Sequence, residues 1–206
     1  MKLINVRGCN GSGKTTLLRA LAKDPACRVA ELKVRHTIKD KVTKQPKEVQ
    51  HPPIPVTYTP EGYAILGDYT PAMADATTAG CDRIKTQEAA KRCLDILVRD
   101  PAVKVIVFEG IVVSTIYGPW KDFAKHYGGM LWAFLDTPLE DCLRRVQERN
   151  GGKPVKEDQI ADKHRTIARV RDKALTDGLA VADIHWKTPV ADLTREINNV
   201  MIPVLP

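Results

Sequence analysis

Eight consecutive residues near the start of the chain, Gly8-Cys9-Asn10-Gly11-Ser12-Gly13-Lys14-Thr15, satisfy the pattern G-x-x-x-x-G-K-[S/T], and no other stretch restricts the fold as strongly. Ahead of them, residues 2–7 read as a short buried strand. Behind them, Leu17, Leu18 and Leu21 recur at helical spacing through residues 14–22. Strand, glycine loop and helix in that order turn backbone N–H groups inward around one point. Gly8, Gly11 and Gly13 permit the dihedrals and close approach this requires, and the helix adds the partial positive charge of its N-terminus. Phosphate groups suit such a cradle. The expected binding set for ATP or a similar nucleoside triphosphate is Gly8, Asn10, Gly11, Ser12, Gly13, Lys14, Thr15 and Thr16. Lys14 would reach the β and γ phosphates, Thr15 would ligate Mg²⁺ through its hydroxyl, and Thr16 would supply a second contact. A glycine-rich turn with an exposed lysine is the ordinary alternative, and the flanking strand and helix argue against it.

Downstream, strand and helix patterns alternate. Residues 29–34 suit a second strand, and residues 56–58 and 63–66, parted by Pro60 and Gly62, suit a small hairpin. Residues 86–98 form an amphipathic helix with Ala89, Ala90, Cys93, Leu94 and Leu97 on its apolar side. The β-branched run at 103–108 has the character of a central parallel strand, and 130–135 repeats it after a helix at about 120–126. Helices at 139–150, 159–176 and 190–201 and a strand at 180–185 complete the series. The alternation predicts a doubly wound α/β fold with a parallel sheet covered on both faces. With 206 residues, 43% of them hydrophobic, the chain suits a single domain over residues 1–206. Residues 35–62 break the pattern, being rich in Lys, Pro and Thr, and read as an insertion or mobile loop. Here Lys33, Arg35, Lys39, Lys41, Lys44 and Lys47 face one acid, Asp40, as either a solvated charge run or a substrate-facing arm.

Composition removes several classes. The most apolar stretch, residues 103–113, is interrupted by Glu109 and is too short to span a membrane. A strand and a functional loop begin within the first eight residues, which leaves no room for a cleavable leader and leads to an expectation of cytoplasmic residence. The five cysteines are scattered, without a C-x-x-C pair, and read as reduced thiols. The net charge of +7 favours polyanionic partners, nucleotides or nucleic acid.

Two carboxylates compete for the role of a base. Glu109 follows the run Val105-Ile106-Val107-Phe108 and precedes Gly110, at a strand end where α/β enzymes expose site residues; it suits a base or a holder of magnesium-bound water. Asp68, after the strand at 63–66, suits a substrate-side acid or simply closes a turn beside Gly67. Asp82 and Arg83, ahead of a helix, suit acceptor binding or helix capping. Lys163, Arg165, Arg169 and Arg171 stud the long helix, tracking a phosphate backbone or merely solvated.

The phosphate loop and this element order resemble the P-loop kinases of the nucleoside, nucleotide and polynucleotide kinase group. The resemblance implies a P-loop NTPase fold with a five-stranded parallel sheet, helices on both faces, a small β-hairpin insertion and an arginine lid. Leu135-Asp136-Thr137-Pro138, the helix bearing Arg144, Arg145 and Arg149, and Asn150-Gly151-Gly152-Lys153 are similar to the strand, helix and lid of that group, placing the lid at residues 144–156. Arg145 and Arg149, at i and i+4, would neutralise charge on the transferred phosphoryl group. His185-Trp186-Lys187-Thr188 stands where the group contacts adenine, and Trp186 equally suits core packing. The N-terminal loop, Leu66-Gly67-Asp68-Tyr69 and Gly80-Cys81-Asp82-Arg83-Ile84-Lys85-Thr86 resemble phage-encoded P-loop kinases, some of which phosphorylate the hydroxymethyl group of 5-hydroxymethyluracil within DNA. That acceptor is the leading expectation. A deoxynucleoside monophosphate kinase and a polynucleotide 5′-hydroxyl kinase are rivals, and an ATP-hydrolysing switch protein is the alternative from another class.

Overall fold

The computed structural model describes residues 2–40, 42–70 and 80–199, so Lys41 of the basic run and the end expected for the last helix, residues 200–201, lie outside the described residues. In chain order the strands are β1 (Lys2–Arg7), β2 (Arg28–Leu32), β3 (Arg35–Lys39), β4 (Pro46–Gln50), β5 (Ile54–Tyr58), β6 (Tyr63–Leu66), β7 (Val105–Glu109), β8 (Leu131–Leu135) and β9 (Val181–Ile184). The helices are α1 (Lys14–Leu21), α2 (Gln87–Val98), α3 (Ile111–Thr115), α4 (Gly118–His126), α5 (Leu139–Arg149), α6 (Glu157–Thr176) and α7 (Pro189–Asn199).

The main sheet runs β2-β5-β6-β7-β1-β8-β9. Its five strands from β6 to β9 are mutually parallel, which agrees with the parallel core expected from the β-branched runs. The sheet is wider than five strands, because β5 adds antiparallel to β6 and β2 antiparallel to β5. The hairpin at 54–66 is therefore part of the sheet and no separate insertion. Val56, Ile65 and Leu66 are fully buried, but strands this short give a weak pattern.

Helices cover both faces, as alternation requires. On one face Phe108, Trp120, Trp132, Phe134, Cys142 and Ile167 pack α2, α4, α5 and α6. On the other, Ile4, Val6, Leu17, Leu18, Val107, Leu193 and Ile197 pack α1 and α7. The Thr86 hydroxyl caps α2 by accepting the Ala89 N–H at 3.1 Å. Within 35–62, which composition presents as a loop, β3 and β4 pair antiparallel as a separate two-stranded ribbon. The ribbon is held by backbone pairing and buries only His36 of β3, so it shows no apolar periodicity. No helix among the described residues is long and apolar enough to cross a membrane.

Central placement of β1 positions the site. Its neighbours β7 and β8 end beside it, with Val6 opposite both Glu109 and Ala133. The Gly8 loop therefore emerges between the segments that follow these two strands.

Candidate functional site

The loop from Gly8 to Thr15 is folded by close contacts that exclude side chains. Gly11 and Gly13 have φ of 80° and 98°, in the left-handed region. A Cβ on Gly11 would lie 2.2 Å from the Cys142 carbonyl oxygen of α5. Both flanking segments brace the loop: the Gly8 N–H donates to the Ser114 hydroxyl at 3.3 Å, and the Thr137 hydroxyl donates to the Ser12 carbonyl at 2.8 Å. Lys14, only 7% exposed, donates through Nζ to the carbonyls of Gly8 (2.9 Å) and Cys9 (3.1 Å). An ammonium and a helix N-terminus thus converge on one concavity.

Facing the loop is Glu109, 1% exposed. Its Oε1 accepts the hydroxyls of Thr15 at 3.1 Å and Tyr69 at 3.0 Å. Burial raises its carboxyl above the usual carboxylate range and Asp82 adds to the rise, while Lys14 and the two hydroxyl donors oppose it. Thr15 and Glu109 offer hard oxygens of the kind Mg²⁺ takes. Among the described residues no group of three His, Cys, Asp or Glu side chains could hold a metal, so phosphates and water would complete such a shell, as is usual for Mg²⁺.

A cavity of about 610 Å³ opens between these groups, and its lining includes Asn10, Gly11, Ser12, Gly13, Lys14, Thr15, Thr16, Asp82, Glu109, Arg145, Arg149 and Trp186. That size suits a small-molecule site. Arg145 donates to the Gly11 carbonyl at 3.4 Å, and its guanidinium carbon lies 4.8 Å from the Trp186 ring centroid. Trp186 is held in turn by its backbone N–H, which donates to Asp136 Oδ1 at 2.8 Å. Asn10 accepts from Lys163 of α6 at 3.3 Å, which ties one basic residue of the long helix to the loop.

The other expected site residues have engagements of their own. Asp82 reaches the cavity, but both its oxygens accept the Ile111 N–H, at 2.8 and 2.9 Å, and Oδ1 also takes the Val112 N–H. It thereby caps α3, a helix too short to read in the sequence. Arg83 is exposed and does not line the cavity. Neither does Asp68, whose Oδ1 accepts from the Thr70 N–H (3.1 Å) and hydroxyl (2.7 Å), closing a local turn. Gly8 lines a smaller cavity with Asp136 and His164 and is absent from the lining of the larger one. Tyr69 and Ser114 also reach the site, roles that no reading of the sequence assigns them. The sequence offers one signal for Tyr69, its position directly after Asp68 at the end of a buried strand, and none for Ser114.

A family model described as 5-hmdU DNA kinase matches residues 54–188. A 5-hmdU DNA kinase of Pseudomonas phage M6 is 64% identical over 200 residues, which cover 97% of this chain and all of that protein. The 5-hmdU DNA kinase of Bacillus phage SP10 is 31% identical over 88% of this chain, a match that takes in 26% of that protein. The 5-hmdU DNA kinase 1 of Salmonella phage ViI is 31% identical over 79% of this chain and 66% of its own length. Identity at this level over nearly the whole chain, together with the family match, shows that the chain belongs to the 5-hmdU DNA kinase family.

Proposed function

We propose that this chain is a kinase of P-loop NTPase fold that moves the γ-phosphate of ATP to the hydroxymethyl group of 5-hydroxymethyluracil in DNA. The observation that carries the reading is the seat of Glu109 beside Thr15 and Lys14, in a chain 64% identical to a 5-hmdU DNA kinase. Among the described residues, three carboxylates line the cavity. Asp82 is engaged by α3, and Glu148 is exposed and paired with Arg144. Glu109 is the one whose burial favours taking up a proton.

In this reading the loop N–H groups and Lys14 hold the β and γ phosphates. Glu109 takes the proton from the hydroxymethyl oxygen, which attacks the γ-phosphorus while the bond to ADP breaks. Arg145 and Arg149, in a lid at residues 144–156, balance charge on the moving phosphoryl group and help exclude water. Mg²⁺, held by the Thr15 hydroxyl and through water by Glu109, would neutralise charge between the β and γ phosphates. Trp186, stacked beside Arg145, offers a face to the nucleotide base. The acceptor base must leave the DNA stack to reach the cavity. One experiment tests the whole reading: label from γ-³²P-ATP offered to hydroxymethyluracil-containing duplex, to DNA with 5′-hydroxyl ends and to free deoxynucleoside monophosphates. Label on internal nucleotides of the modified duplex is the expected result. Label on ends or monophosphates replaces the acceptor, and free phosphate alone removes the kinase.

A further inference from the structure

The β3–β4 ribbon stands outside both the main sheet and the residues matched by the family model, 54–188. Its acids are all engaged. Asp40 accepts the N–H groups of Val42 and Thr43, both at 2.9 Å, and so shapes the turn. Glu48 pairs with Arg35 of its own ribbon and Arg92 of α2, each at 3.1 Å. Glu88 of α2 accepts the Thr37 N–H at 2.9 Å. Lys33, Lys39 and Lys47, by contrast, are exposed and form no ion pair among the described residues. At the tip Val42 is 88% exposed, an apolar side chain among cations.

The ribbon and the residue after it are also fastened to the segment that leads from Asp82 into α2. His36 Nδ1 lies 2.9 Å from the Thr86 hydroxyl, and His51 Nε2 accepts the Lys85 N–H at 3.0 Å. Lys85 and Thr86 continue the segment that carries Asp82 into the cavity lining. A five-residue strand pair is about 17 Å long, and a DNA major groove about 12 Å wide admits a two-stranded ribbon, leaving lysines on both strands free for the bordering phosphates.

From this arrangement we infer that the β3–β4 ribbon is a duplex-DNA-binding arm, in which Lys39 and Lys47 hold backbone phosphates and present the DNA to the Asp82 side of the cavity. The identity of the polyanion rests on the DNA-kinase reading above; the position of the arm does not. The test is the double variant Lys39→Glu/Lys47→Glu. Binding of unmodified duplex DNA is followed by fluorescence anisotropy from 50 to about 200 mM salt, and transfer to hydroxymethyluracil duplex is measured alongside. The log–log salt slope should become shallower by roughly 2, and KM for duplex should rise on the order of 10-fold with kcat unchanged. Lys39→Arg/Lys47→Arg should retain the wild-type slope, separating lost charge from a damaged ribbon. An unchanged slope and KM in the charge-reversed variant overturn the arm. Absence of transfer by the wild-type protein, with the slope still lost in the variant, overturns the acceptor reading and leaves the arm standing.

Discussion

Thr15 donates its hydroxyl to Glu109 Oε1 across 3.1 Å, joining the first turn of α1 to the carboxyl end of β7. The same oxygen receives the Tyr69 hydroxyl at 3.0 Å from the segment after β6. Three adjacent pieces of the fold therefore meet on one carboxylate. It is buried yet doubly hydrogen-bonded, which is how such a group persists away from water.

Replacing that carboxylate should separate activity from stability. Burial raises the Glu109 carboxyl, so the folded state binds its proton more readily than the unfolded chain does. Stability from this group is complete below about pH 4, near the unfolded value, and is lost as pH rises through the raised folded value. Glu109→Gln should therefore raise Tm at neutral pH. Phosphoryl transfer should fall at least about 10²-fold. Melting curves of both proteins from acid to neutral pH check the first point; a lower Tm for the variant at pH 7 contradicts it. Asp68→Asn, which perturbs a turn with Thr70, should keep near-normal kcat.

Lys14→Ala removes a buried ammonium from the mouth of the loop while leaving the apolar packing of Leu17 and Leu18 in place. Turnover should drop by at least about 10²-fold, the loss typical of removing one preorganised donor to a developing charge. Circular dichroism should show an unchanged fold. Full activity in this variant would take the loop out of the mechanism.

Asp82 provides a test of capping against acceptor contact. If its work is to receive the Ile111 and Val112 N–H groups, Asp82→Asn preserves a capping side chain and most activity. Asp82→Ala should cost about 1 kcal/mol of stability. Comparable loss of transfer in both variants, without loss of stability in Asp82→Asn, would instead mark direct contact with the acceptor.

Gly11→Ala should be among the most damaging small substitutions. It sets a Cβ at a φ of 80° and 2.2 Å from the backbone oxygen of Cys142, which has no flexible end to move aside. Strain of about 1–3 kcal/mol is expected, with weakened ATP binding by titration calorimetry. Wild-type affinity and Tm would show that α5 yields at this contact.

Trp186→Ala should act on nucleotide affinity and spare the chemical step. Loss of a stacking face is worth roughly 1–3 kcal/mol, so KM for ATP should rise about 5- to 150-fold with little change in kcat. A fall in kcat at constant KM would place Trp186 in the positioning of Arg145, 4.8 Å from its ring.

Local patterns by themselves determined the strand, glycine loop and helix from Lys2 to Leu21, the buried runs of β7 and β8, and the apolar face of α2, because periodicity and glycine placement are properties of neighbouring residues. They also made Lys14, Thr15 and Glu109 stand out. Only the tertiary structure decided which acid faces the loop. β1 lies between β7 and β8 in a register that sets Val6 opposite Glu109, whereas Asp68 turns back on Thr70. The same holds for Tyr69 and Ser114, which reach the site across 40 and 106 residues of sequence. The exposed ribbon at 35–50 is the complementary case. Its order comes from backbone pairing and a few polar anchors on α2, so hydrophobic patterning carries almost no trace of it. Strand order and register are long-range choices made by packing, and packing brings together residues that no local pattern connects.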